Sequence, residues 1–142
     1  VYKIEKKYKI GYTTGVFDLF HIGHLNILKR AKERCEYLIV GVSTDDCVQG
    51  YKHKMPVIPF EERKAIVEAI KYVDKVVPQV TMNKIDAWRK LKFNVIFHGD
   101  DWKGTALYDK YIAEFAEIGV DMVFLPYTQG TSSTELEKKI RE

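Results

Sequence analysis

The stretch Gly15-Val16-Phe17-Asp18-Leu19-Phe20-His21-Ile22-Gly23-His24 follows a β-type run, Tyr8 to Thr14, and leads into a helical pattern, His21 to Arg34. A strand that passes through a short loop into a helix is the opening unit of a parallel α/β fold. The same stretch carries chemistry. Gly23 permits close approach to the backbone, a helix N-terminus offers unpaired N–H groups to an anion, and His21 and His24 are imidazoles able to donate to phosphate oxygens. Three apart, the two histidines share one helix face and can grip one ligand. The plain alternative is one capping and one surface histidine. The preceding strand, Gly23 and the small polar Thr13 and Thr14 weigh against it. Zinc is a weaker reading, because no third ligand stands at metal spacing. The site described by these residues takes a nucleoside triphosphate, and the expected chemistry is nucleotidyl transfer.

Outward from this stretch, short apolar runs alternate with helical patterns along the whole chain. Leu25, Ile27, Leu28 and Ala31 form the inward side of the first helix. Tyr37 to Val42 is nearly all apolar, as a strand buried on both faces should be. Asp45 to Pro59, punctuated by Gly50, Pro56 and Pro59, is expected as a long loop, and loops of this length are usually functional. Phe60 to Lys71 is expected as a helix with an apolar stripe of Ile66, Val67 and Ile70, and Val73 to Val77 as a strand ended by Pro78. Asn83 to Leu91 reads as helix, Asn94 to His98 as strand, Leu107 to Ile118 as a helix ended at Gly119, and Asp121 to Leu125 as the last strand. Ser132 and Glu135 have capping-box spacing for a terminal helix. The expectation is one domain, residues 1–142, with a doubly wound, Rossmann-like parallel sheet of about five strands. Ligands in such sheets bind beyond the carboxyl ends of the strands. The polar clusters at Thr13 to His24, Ser43 to Lys54, Gly99 to Lys103 and Tyr127 to Thr134 all follow strands.

Composition bounds the partners. The chain has 142 residues, 46% of them hydrophobic, enough for one continuous core. A net charge of +3 gives no argument for nucleic acid. No apolar run approaches the roughly 20 residues that span a bilayer. Val1 to Lys9 is too charged for a signal-peptide core. The opening Val1 fits a start inside the coding sequence, or processing. Cys35 and Cys47, without metal spacing, read as reduced thiols in a cytoplasmic protein.

Four segments in register resemble the HxGH-type nucleotidyltransferases, and within them the cytidylyltransferases, most of all the bacterial glycerol-3-phosphate enzymes. They are Gly15 to His24, Glu62-Arg63-Lys64, Tyr72-Val73-Asp74, and His98-Gly99-Asp100-Asp101-Trp102-Lys103-Gly104; Thr128-Gln129-Gly130-Thr131-Ser132-Ser133-Thr134 matches more loosely. The resemblance runs from about Lys9 to Ile140. It implies transfer of CMP from CTP to a small phosphomonoester, with pyrophosphate released, Mg²⁺ as cofactor and a homodimer as the assembly. His21 and His24 would then hydrogen-bond the phosphates in the transition state, with Lys54 and Arg63 beside them in catalysis. Arg63, by default a surface residue, would reach a phosphate bidentately. Lys52 and Lys54 would meet the substrate and CTP phosphates from a loop that orders on binding. Thr13, Thr14, Gly15, Phe17, Gly23, Gly99, Asp100, Thr128, Ser132 and Ser133 are the expected nucleotide contacts. Asp100 would accept from the cytosine exocyclic amine, and the hydroxyls at the last helix start would hold the β,γ-phosphates. Asp18 either contacts substrate or metal, orients a histidine, or caps the following helix. Trp102 is core or ligand platform.

The chain departs from the family pattern in two places. Tyr127 stands where the related enzymes carry an arginine, with Gln129 and Thr131 following, and a phenol does not replace a guanidinium. Val80-Thr81-Met82 lacks the tryptophan of the glycerol-specific enzymes. Fold and reaction class are untouched, but the acceptor is left open among glycerol-3-phosphate, phosphocholine, phosphoethanolamine and similar compounds. The rival readings are an adenylyltransferase of the same superfamily and a nucleotide-binding sensor without catalysis.

Overall fold

A computed structural model describes residues 8–100, 103–126 and 133–141. The elements follow in the order β1 (Tyr8–Gly15), α1 (Ile22–Lys32), β2 (Cys35–Ser43), α2 (Asp45–Lys52), α3 (Phe60–Glu68), β3 (Lys75–Gln79), α4 (Lys84–Leu91), β4 (Val95–Gly99), α5 (Ala106–Glu117), β5 (Asp121–Leu125) and α6 (Ser133–Arg141). All strand pairings are parallel, in the order β3-β2-β1-β4-β5. The chain winds outward from β1 to β3, then returns past β1 to β4 and β5. Strand order therefore reverses between β1 and β4, and the crevice at their carboxyl ends is where such sheets bind ligands.

Two apolar layers hold the sheet. Leu28 and Ala31 of α1 and Val67 of α3 pack with Leu38, Val40, Val42, Val95 and Phe97 on one face. Trp88 and Leu91 of α4 and Phe115 of α5 pack with Tyr12, Ile39, Phe93 and Ile96 on the other. Covered from both sides, β2 is buried without a break from Leu38 to Ser43, which is why its sequence does not alternate. Tyr37, near its start, remains 41% exposed.

Three expectations are corrected. The stretch after β2 is not one long loop, because Asp45 to Lys52 forms α2. Thr44 caps it, its side chain accepting from Cys47 N, and Asp45 and Asp46 place negative charge in the first turn, where the helix dipole favours it. Gly50 and the later prolines masked that signal. Pro78 does not end β3 but lies within it, opposite Val42. The strand is at the sheet edge, so the missing N–H breaks no ladder bond on the open side. In α3 the buried positions are Arg63 and Val67, and Ile66 faces outward. The proposed box of Ser132 and Glu135 lies outside the described residues.

Gly41 sits where β2 crosses the side chains of β1. A Cβ there would stand 2.4 Å from Tyr12 Oη and 3.1 Å from Thr14 Cγ2. Tyr12 is 1% exposed and held by stacking on Phe93 at 4.8 Å. Gly41→Ala is therefore expected to destabilise by about 1–3 kcal/mol through overpacking, read as a lower denaturation midpoint at unchanged slope. A variant as stable as the wild type would contradict this packing.

Candidate active site

The loop between β1 and α1 is held under strain. Phe17 and Leu19 have φ of 56° and 49°, the left-handed region that bulky residues avoid unless their surroundings fix it. The fixing contacts are visible. Phe17 is buried and its ring meets that of His24 edge-on at 5.4 Å. Both oxygens of the Asp18 carboxylate accept backbone N–H groups, from Val57 at 2.8 Å and Ile58 at 2.9 Å. Asp18 thus ties the β1–α1 loop to the segment before α3. It caps no helix, since His21 is the N-cap of α1.

His21 and His24 form a capping box with imidazoles in the places usually held by Ser and Glu. His21 Nδ1 accepts from Gly23 N at 3.0 Å, and His24 Nδ1 accepts from His21 N at 3.1 Å. With both Nδ1 atoms accepting, the protons of the neutral rings lie on Nε2. The rings stack at 3.9 Å. His24 Nε2 lies 3.5 Å from Ser133 Oγ, which donates to the Asp18 carbonyl, so the start of α6 closes over the pair. Burial, then the neighbouring His21 charge, pushes His24 down to about 4 against a smaller opposing pull from Asp18, and burial lowers His21 as well. At neutral pH the free site therefore presents uncharged imidazoles whose Nε2–H groups are the available donors.

Arg63 is the largest correction. Expected at the surface and reaching for a phosphate, it is fully buried. Its Nε donates to Ile58 O at 2.8 Å, Nη1 to Val16 O at 2.8 Å and Ser43 O at 2.7 Å, and Nη2 to Asp45 Oδ1 at 2.6 Å. Four of its five N–H donors are thus engaged within the protein. The guanidinium braces the loops after β1 and β2 against α3, and it positions the site from behind.

The other expected residues divide. Thr13 turns inward and donates to Phe97 O at 3.1 Å, spending its hydroxyl inside the sheet. Thr14 and Gly15 end β1, and Gly99 ends β4 with Asp100 exposed just beyond, so these four flank the switch point. Gly23 gives its N–H to His21. Lys54 reaches Glu137 of α6 at 3.4 Å in an exposed pair, while Lys52, the last residue of α2, extends over the Tyr51 ring. Asp101, Trp102, Tyr127, Thr128 and Ser132 lie outside the described residues. Among the described residues no group of three or more His, Cys, Asp or Glu is placed to hold a metal ion. Lys84 and His98, which the sequence expectations leave out, are buried polar groups near the same rim. The fourth histidine directly before Gly99-Asp100 was the available signal.

Arg63→Met keeps the stem but strands three carbonyls and the Asp45 carboxylate. It is expected to cost about 3 kcal/mol or more, with activity falling in step with the folded fraction, as a urea titration alongside the assay would show. Full stability with lost activity would instead return Arg63 to direct phosphate contact. The histidines set an acid limit. Burial, with the Lys84 charge adding to it, lowers His98 to about 3. The folded values of His24 and His98 lie below the ordinary 6.5. Their stabilisation is therefore complete above pH 6.5 and is lost as pH falls toward 4 and 3. A His24→Gln, His98→Gln double variant is expected to show a shallower loss of stability across that window; an unchanged slope would place the acid sensitivity elsewhere.

Comparisons with known proteins agree with this geometry. A family profile described as cytidylyltransferase-like matches residues 12–139. Glycerol-3-phosphate cytidylyltransferase of Bacillus subtilis is 37% identical over 135 residues, covering 90% of this chain and 94% of that protein. The enzyme of the same name from Staphylococcus aureus is 36% identical over 90% of this chain and 92% of its own length. Ethanolamine-phosphate cytidylyltransferase of Dictyostelium discoideum is 37% identical over 93% of this chain but 38% of its own length. Among solved structures, a lipopolysaccharide core biosynthesis protein from Thermoplasma volcanium superposes with a TM-score of 0.72 at 22% identity, over 87% of this chain and 99% of that one, a likeness of fold. With the profile spanning nearly the whole sheet and the histidine capping box at its switch point, the chain belongs to the cytidylyltransferase-like family.

Proposed function

We propose that this protein transfers CMP from CTP to a small phosphomonoester, with glycerol-3-phosphate the expected acceptor. An acceptor phosphate oxygen attacks the α-phosphorus of CTP, the bond from that phosphorus to the bridging oxygen breaks, and pyrophosphate leaves with its electron pair. The observation that carries the reading is the histidine box at the carboxyl end of β1, with both Nδ1 atoms engaged. Its Nε2–H groups are donors fixed before substrate arrives, so little reorganisation is needed as charge builds on the phosphoryl oxygens. The chemistry calls for positioning and charge neutralisation rather than a protein nucleophile.

The remaining roles follow from placement. The exposed Lys54–Glu137 pair is of the kind worth little, so Lys54 can exchange Glu137 for phosphate, with Lys52 alongside. Asp100, exposed beyond β4, would accept from the cytosine amine, and Ser133, in the first turn of α6, would meet phosphate. Mg²⁺ is proposed to enter on the CTP phosphates with water completing its oxygen shell, in keeping with its reluctance to dehydrate. A homodimer rests on the family resemblance alone. A cytoplasmic setting is proposed on Cys35 and Cys47, neither of which is joined in a disulfide among the described residues.

Pyrophosphate release, with CTP, ATP, UTP and GTP crossed against small phosphomonoesters, tests the proposal. Release with CTP and glycerol-3-phosphate is expected, and release with ATP alone would move the protein to adenylyl transfer. His24→Ala is expected to lower kcat by roughly 10²–10³ without loss of fold. Turnover near the wild-type rate would remove the histidines from the mechanism.

A further inference from the structure

The segment between α2 and α3, residues 53–59, is fixed at both ends. His53 closes α2 in the left-handed region at φ 57°, its N–H donating to Gln49 O. At the far end the Asp18 carboxylate accepts from Val57 N and Ile58 N, and Ile58 O accepts from Arg63. Lys54 and Met55, between these anchors, are exposed. Glu137 of α6 meets the Lys54 ammonium there, its Oε2 at 3.4 Å from Nζ. Four positions back along the same helix, and so on the same face, Ser133 donates to the Asp18 carbonyl and lies 3.5 Å from His24 Nε2. One face of α6 therefore touches the histidine box with its first turn and the Lys54 tip with its second. An acid is an odd residue at that place. Lys54 is proposed to meet CTP phosphate, and a carboxylate competes for the same ammonium. Stability gives little reason for the pair, since the Lys54 side chain is 51% exposed and that of Glu137 is 18% exposed.

We infer that Glu137 is an internal competitor for Lys54: it holds the ammonium while the nucleotide site is empty, yields it to the triphosphate, and takes it back as pyrophosphate leaves. This deepens the transfer reading and rests on it. The exchange keeps Lys54 paired throughout, by a carboxylate before CTP arrives and by a phosphate oxygen afterwards. Breaking the Lys54–Glu137 contact precedes the phosphate contact, so the competent form is only a fraction of the free protein. CTP and pyrophosphate are weakened alike by that fraction. The anchored ends confine the exchange to Lys54 and its immediate neighbours, so no refolding of the segment accompanies it. Donors that stabilise charge on a departing pyrophosphate also retain it, and an acid within reach of Lys54 opposes that retention. An acid that served only to tie the segment to α6 would act with the opposite sign. Its removal would loosen Lys54 and weaken CTP binding.

Calorimetric titration of CTP with Mg²⁺, without acceptor, compares wild type, Glu137→Gln, Lys54→Met and the double variant. Gln keeps the shape of the acid and removes its charge. Glu137→Gln is expected to tighten CTP about fivefold, the upper end for a partly exposed ion pair. In the Lys54→Met background the same change is expected to leave affinity within about 1.5-fold, because the effect runs through Lys54. Titration of pyrophosphate with Mg²⁺ is expected to show the same tightening in Glu137→Gln and the same dependence on Lys54. Unchanged CTP or pyrophosphate binding by a folded Glu137→Gln overturns the inference, and weaker binding makes Glu137 a structural tie instead. Tightening that persists without Lys54 also overturns it, because the acid then acts on the nucleotide directly. Tightening that requires Lys54, in a protein that transfers to no acceptor, upholds the competitor while the transfer reading alone fails. Absence of CTP binding by wild type overturns both.

Discussion

The Arg63 guanidinium is the constraint on which the site depends. It joins Val16 beyond β1, Ser43 at the end of β2, Asp45 at the start of α2, and Ile58 before α3, at distances of 2.6 to 2.8 Å. Three carbonyls and a carboxylate converge on one cation with no exposure to solvent. A buried charge of this kind is tolerated only where it is almost fully hydrogen-bonded, so it fixes the relative positions of everything it touches. Asp18 works in parallel, with two backbone N–H groups from the Val57–Ile58 segment on its carboxylate. Together they lock the strained loop that delivers His21 to the start of α1.

From that locked loop the electrostatics of the histidine pair follow. The rings cap their own helix, and in doing so commit both Nδ1 atoms, leaving Nε2–H as the outward donor on each. Burial keeps the pair uncharged in the free protein. An incoming triphosphate meets neutral Nε2–H donors, because a second proton on either ring would have to take the Nδ1 that already accepts a backbone N–H. A preformed pair of imidazolium ions would repel each other at 3.9 Å.

The cost of these arrangements is spread over the carboxyl rim. Phe17 and Leu19 hold left-handed backbone, Lys84 lies buried at the wrong end of a helix, and His98 Nε2 has no partner. The two apolar layers on either side of the sheet carry the stability that lets the rim depart from local preference.

The amino-acid sequence by itself determined the alternation of strands and helices, the parallel sheet, and the histidine pair after β1, because each is a local pattern of apolar spacing, capping and short motifs. It also held the signal for α2 in Thr44-Asp45-Asp46, hidden by the glycine and prolines that follow. Only the tertiary structure decided what Arg63, Asp18, Thr13, Lys84 and His98 do. Arg63 meets Val16 across 47 positions, Asp18 meets Ile58 across 40, and Thr13 meets Phe97 across 84. A polar side chain of one type can serve a ligand, a helix end or a distant carbonyl. Which of these it serves depends on the groups that folding brings within hydrogen-bond reach, and no local pattern encodes that choice.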